Sequence, residues 1–297
     1  MSQNANLEAA NVDMVIIPRT GDIGNFKVQR ALPFKDKRMV GPFIFWDQMG
    51  PGEFLKGTGV DVRPHPHIGL STVTYLFDGC LDHKDSLNNS LRIVPGDLNL
   101  MTAGKGIVHS ERTGQDIRSE ASSLFGIQSW LAQPQSKENG DPSFVHYAKS
   151  ELPEFSDFGV RGRVILGDFL GTQSKVLTDW DTHYVDLNLQ RGFSIELPRD
   201  IEERALYPID APILVNGQKF PAGQMLILKP GSATIIKADS SDLRVMLLGG
   251  AAMDGPRHIW WNFVSSSKER IEEAKRDWKD GKFAAVPDDD QFIPLPE

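Results

Sequence analysis

Short apolar runs broken by glycine and proline set the pattern of this chain. They are STVTYLF (71–77), LRIV (91–94), LNLMT (98–102), YVDLNL (184–189), GFSIEL (192–197), APILV (211–215), MLIL (225–228), ATII (233–236) and LRVMLL (243–248). Runs of this length, bounded by turn residues at regular spacing, predict the strands of an all-β sandwich or barrel. Double-sheet jelly rolls protect their edges while using many such short strands.

One segment breaks the pattern. Ser266 and Glu269 stand in Ser-x-x-Glu spacing, the signature of a capping box that satisfies orphan amide donors. Ile271, Ala274 and Trp278 then recur at i, i+3 and i+7, which places them on one helical face. Lys268–Glu272 and Glu272–Arg276 are opposite charges at i,i+4 on the other side, and Gly281 follows as a stop. The pattern predicts one C-terminal helix packed on a barrel.

A faint internal repeat is also present. SLRIVPGDLNLMTAGKG (90–106) and GQKFPAGQMLILKPGSA (217–233) each place a proline–glycine turn before an apolar strand and a second glycine turn after it. The repeat suggests two barrels on one plan. The polar, Pro/Gly-rich stretch at 135–160 is the expected connection. The expected domains are 1–140 and 141–297, with the segment after residue 250 returning to brace the first half.

Composition narrows the class. Hydrophobic residues make up 40% and charged residues 24% of 297, enough to bury a sizeable core. The net charge of −8, with no compensating Lys/Arg block, argues against direct nucleic-acid binding, where phosphate neutralisation dominates affinity. Cys80 is the only cysteine, so no internal disulfide forms, which fits a reducing compartment. The N-terminal stretch lacks a basic region followed by an apolar run, and no window reaches about 18 uninterrupted apolar residues. The expected location is cytoplasmic, with no membrane association.

Arg63-Pro64-His65-Pro66-His67 then changes the picture, because the whole chain has only seven histidines. On a strand, residues i and i+2 point to the same side, so His65 and His67 present two imidazoles to one spot. Pro64 and Pro66 stiffen an extended backbone and remove amide donors, as at an edge or a strand entry. His109 and Glu111 repeat the spacing after the sharp turn Gly104-Lys105-Gly106. Two such pairs on neighbouring strands make a cluster of three histidines and one carboxylate. That donor set suits Fe(II), and also Mn, Co, Ni or Zn, rather than a closed thiolate site.

These residues carry a family resemblance. Gly59-(x5)-His65-x-His67, followed by a strand, Pro95-Gly96-Asp97 and His109, resembles the two motifs of the cupin superfamily. More narrowly, HPHIGLSTVTYLFDG, PGDLNLMTAGKGIVHSE, GIQSW at 126–130 and GPRHIWWNFVSSSKERIEEAKRDW at 255–278 are similar to bacterial pirin-like proteins. The resemblance implies a bicupin of two jelly-roll-like β-barrels with a C-terminal helix, and a single divalent transition metal in the N-terminal barrel. By motif position its ligands are His65, His67, His109 and Glu111, with Fe(II) expected and Zn, Ni, Mn, Co or Cu as alternatives. Many family members carry a glutamate about four residues after the second histidine, where this chain has Ser71, followed by Thr72. That departure touches the strand's surroundings, not the ligands.

The resemblance also implies a reaction. A quercetin 2,3-dioxygenase-type enzyme would take a small aromatic, flavonol-like substrate and O2, with Glu111 as the catalytic residue that accepts a hydroxyl proton. The other reading is a non-enzymatic, redox-sensitive metal protein that regulates a protein partner. Among the remaining candidates, His83 is expected at an exposed hairpin tip, with a lip over the metal cavity as the other reading, and His146 and His183 lack partners at ligand spacing. His258 is expected to pack the C-terminal segment. Met49, Met101 and Gln128 are candidates to line the metal cavity, with core packing the preferred reading for the two methionines, and Asp288, Asp289 and Asp290 are expected in a solvated tail.

Overall fold

The computed structural model describes residues 7–23 and 26–296. Each of the nine apolar runs contributes a strand. The chain divides into two compact units, and each builds a seven-stranded and a four-stranded sheet from antiparallel strands. No helix of the described residues is long and apolar enough to cross a membrane.

One unit comprises residues 20–30, 46–149 and 253–297. Its four-stranded sheet runs in the order Asp61–His67, Ile107–Arg112, Leu81–Asp85, Ser90–Ile93. In its larger sheet Leu70–Gly79 lies between Leu98–Thr102 and Ser122–Ala132. Ser143–Tyr147, within the stretch read as connection, is a strand paired with Leu98–Thr102. It is an edge strand that exposes much of its surface, and no continuous apolar run marks it.

The C-terminal segment packs against this unit. Val264 donates its amide to the Ile68 carbonyl at 3.1 Å. Glu138 accepts from the Ser265 hydroxyl at 3.1 Å and from the Ser266 hydroxyl at 2.6 Å. Gly69 follows the second motif histidine with φ +66°, and a Cβ there would collide with the Val264 carbonyl oxygen. Only glycine meets both demands at that point.

The predicted helix spans Lys268–Lys279, one residue out of the expected register. Its N-cap is Ser267, whose hydroxyl accepts from the Arg270 amide at 3.2 Å. Ser266 is diverted to Glu138 and does not serve as the cap. Ile271 and Ala274 are buried, as their spacing requires. The charged pairs that form are Lys275–Glu272 at 2.9 Å and Arg270–Glu273 at 3.2 Å, both at i,i+3.

The other unit comprises the described residues up to Arg19, 31–45 and 150–252. Val12–Ile16 belongs here because it pairs with Met225–Leu228. The larger sheet is centred on Leu243–Gly250, between Glu203–Pro208 and Thr182–Leu189. Val164, Leu187, Leu206, Ile213, Val215, Ile236 and Leu247 form one aliphatic cluster, each fully buried. Each such side chain contributes roughly 1.5–3 kcal/mol on leaving water.

The internal repeat has a structural counterpart. In the first copy the turn at Pro95-Gly96 carries the chain from the four-stranded sheet (Ser90–Ile93) to the seven-stranded sheet (Leu98–Thr102). In the second copy Pro221-Ala222-Gly223 makes the same crossing, from Gln218–Phe220 to Met225–Leu228.

Candidate metal centre

Three strands of one four-stranded sheet build the site. The central strand, Ile107–Arg112, carries His109 and Glu111 on one face. On one side Asp61–His67 pairs with it so that His65 lies opposite His109. The register then slips by one residue before Val62 meets Glu111. That irregularity falls beside Pro64, which has no amide to offer the ladder. On the other side Leu81–Asp85 places Asp85 opposite His109 and His83 opposite Glu111.

The ligand atoms of His65, His67 and His109 all lie within 4.8 Å of one another, and all three residues are buried. Burial comes first among the causes that hold the three imidazoles below their ordinary pKa. The neighbouring imidazoles lower His67 and His109 further. Neutral rings are the form that binds a cation.

Hydrogen bonds select the nitrogen. His65 Nδ1 donates to the Arg63 carbonyl at 2.8 Å, and His67 Nδ1 donates to the Asn262 carbonyl at 3.2 Å. A carbonyl only accepts, so both neutral rings keep their lone pair on Nε2. The Nε2 atoms of His67 and His109 approach to 3.0 Å. His109 Nδ1 is buried with no hydrogen-bond partner among the described residues. A cation among these nitrogens would turn a cluster of close lone pairs into an attraction, so the residues present fit a metal ion.

Glu111 reaches the site from the same strand and is held from the facing sheet. Gln128 Nε2 donates to both carboxylate oxygens, at 2.9 and 2.7 Å, and Thr74 Oγ1 donates to one of them at 3.4 Å. Trp130, two residues beyond Gln128, meets the His67 ring edge-on with centroids 5.3 Å apart. As placed, the Glu111 carboxylate forms a close group with His83 and His109.

His83 corrects the sequence reading most. It is not an exposed tip residue but only 3% exposed, on the strand Leu81–Asp85. Its Nε2 contacts Asp85 Oδ2 at 3.0 Å, and its ring stacks on Phe144 with centroids 4.6 Å apart. The signal was present in His83-Lys84-Asp85, a third i,i+2 polar pair. Gly79 before it and Asn88-Asn89 after it are turn residues, which give the same stretch the look of a hairpin tip.

The remaining candidates fall elsewhere. Met49 packs with Val28, Leu76 and Leu124, and Met101 with Ala103 and Ile107, so both are core residues. His146 Nδ1 contacts the Asn99 side-chain oxygen at 2.8 Å, and His183 Nδ1 the Asp168 carbonyl at 2.9 Å. His258 pairs with Ser265 in a two-stranded ribbon, where Lys275 lies 4.3 Å above the Trp260 ring.

Known families and solved structures match this chain over most of its length. The Pirin family model matches residues 25–131, and the Pirin C-terminal cupin domain model matches residues 184–284. A pirin-like protein of Caulobacter vibrioides is 46% identical over 291 residues, spanning 96% of this chain and 100% of the relative. A Pseudomonas aeruginosa protein named "Putative quercetin 2,3-dioxygenase" is 34% identical, spanning 90% of this chain and 83% of the relative. A crystal structure of quercetin 2,3-dioxygenase from Acinetobacter baumannii superposes with a TM-score of 0.89 at 34% identity, covering 98% of this chain and 97% of that one. A bicupin of two β-units, with buried histidines at the cupin motif positions of one of them, therefore belongs to the pirin family.

Proposed function

We propose that this chain is a metal-dependent dioxygenase of the quercetin 2,3-dioxygenase type. His65, His67, His109 and Glu111 would hold one metal, with Fe(II) the expected ion. The observation that carries this reading is a buried group of three imidazoles, with a carboxylate from the same sheet clamped beside them by Gln128. The likeness over nearly the full chain to the Acinetobacter enzyme supports the choice of reaction class.

The bound metal would supply Lewis acidity and a place for substrate and O2 to meet. The protein's own groups do the rest. Glu111 is the one acid among the four, so it is the group that can take the proton of a flavonol 3-hydroxyl. Gln128 gives that carboxylate two hydrogen bonds and fixes where it points. Trp130 offers an aromatic ring beside His67. Substrate deprotonation, followed by addition of O2 and ring opening, is the expected order.

Anaerobic loading with Fe(II), followed by O2 uptake in the presence of quercetin, tests the reading. Uptake that needs both the metal and Glu111, and is lost in Glu111→Gln, is the expected result. Tight metal binding without uptake would overturn the enzymatic reading in favour of a metal-dependent regulatory protein.

A further inference from the structure

We propose that His83 is a fifth metal-binding side chain, and that the centre offers two overlapping positions for one ion. The first lies among His65, His67 and His109. The second lies among His83, His109 and Glu111. This rests on the metal-binding part of the function proposed above, which makes no use of His83.

The ladder register brings the second group together. Glu111 is the direct cross-strand partner of His83, and His109 that of Asp85. Directly opposed side chains share one face with Cβ atoms about 4.5–5.5 Å apart. The ligand atoms of His83, His109 and Glu111 lie within 4.8 Å of one another, and all three residues are buried. Metal–ligand bonds of about 2.0–2.2 Å bring donor atoms to within about 4.4 Å of each other, so only small side-chain movements are needed. The structure thus groups Glu111 with His83, not with His65 and His67.

His83 is also prepared as a ligand. Asp85 is fully buried and accepts from the Leu87 amide at 2.9 Å, the Asn89 amide at 3.1 Å and Asn89 Nδ2 at 3.0 Å, all at Oδ1. Its Oδ2 takes Asn89 Nδ2 at 2.9 Å and His83 Nε2 at 3.0 Å. A carboxylate so surrounded by donors is an acceptor, so His83 Nε2 carries the proton. A neutral His83 then keeps its Nδ1 lone pair for a further partner. A histidine backed by a carboxylate in this way is the usual arrangement of a metal ligand. Closing the 85–89 turn accounts for the bonds to Oδ1. It gives no reason for a buried imidazole on Oδ2, with its ring 5.3 Å from that of His109.

The consequence is a division of labour. His109 and Glu111 serve both positions, His65 and His67 only the first, and His83 only the second. An ion could then change partners without leaving the protein.

The test is titration of the full chain with Co(II) alone, followed by visible absorption and dialysis. The His65→Ala/His67→Ala variant is expected to retain one Co(II) per chain, more weakly than the unaltered protein. Adding His83→Gln is expected to abolish that binding. Adding Asp85→Asn instead is expected to weaken it about 10–100-fold, the usual cost of removing a ligand's supporting hydrogen bond. A double variant that keeps its β circular dichroism and binds no Co(II) overturns the proposal. Should that variant misfold, His83→Gln alone decides. A changed Co(II) spectrum at undiminished folding supports a direct contact, and an unchanged spectrum and affinity overturn it. If the unaltered chain binds no Co(II), the underlying metal reading falls as well.

Discussion

The two units use one plan with opposite contents. In the four-stranded sheet of the 150–252 unit, the same-face pairs Ile213/Val215 and Ile236/Ala238 are buried and face an aliphatic cluster. In the four-stranded sheet of the 46–149 unit, the same-face pairs are His65/His67, His83/Asp85 and His109/Glu111, and they are buried too. One interior is filled with carbon that cannot react. The other is filled with imidazole and carboxylate, which lose hydration and recover it through hydrogen bonds or a cation. A fold held by backbone ladders tolerates either filling, so function can occupy a place where a core would otherwise sit.

The largest expected effect removes the residue common to every arrangement of the site. His109→Ala should lose stable metal binding, read as metal content after purification, because it deletes a ligand from a small set. Stoichiometric metal in that variant would sink the cluster, and more than one tightly held ion per chain would contradict a centre confined to one unit. The mirror experiment is Leu187→Ala in the aliphatic cluster. It should cost about 2–5 kcal/mol in denaturant unfolding and leave metal stoichiometry unchanged.

Gln128→Ala sharpens the contrast at smaller scale. It removes the donor that makes two hydrogen bonds to the Glu111 carboxylate and should weaken metal affinity or activity about 10–100-fold. Acidity should separate the units as well. His67 and His109 are held well below 6.5, chiefly by burial, while the unfolded chain protonates them as pH falls through 6.5. The unfolded state binds more protons in that window, so stability is full above 6.5 and declines below it. Metal competes with the same protons, so it should be released in the same direction, measurable across about pH 5–8. The smallest effect is expected at the C-terminal helix, where Ser267→Ala should cost about 1 kcal/mol by removing a cap and leave the metal in place.

His65/His67 and His109/Glu111 were legible because a period of two along a strand is local. The reader needs only to know that the segment is extended. His83 obeyed the same period and was still misplaced. Whether a short polar strand is a loop tip or an inner strand depends on which neighbour covers it, and here Ile107–Arg112 and Phe144 do. Ser266 and Ser267 show the same limit. Both fit a cap locally, and Glu138, far away in sequence, claims the first.

The sequence by itself determined the all-β character, the doubled barrel plan, the C-terminal helix and two of the three polar pairs. Each of these rests on spacing between near neighbours, which backbone geometry converts directly into a face or a turn. Tertiary structure decided that Val12–Ile16 joins the 150–252 unit, that Asn262 orients His67, and that Glu111 is clamped by Gln128 and faces His83. Those choices depend on which distant segments pair and in what register, and a shift of one residue would turn every side chain on a strand to the opposite face.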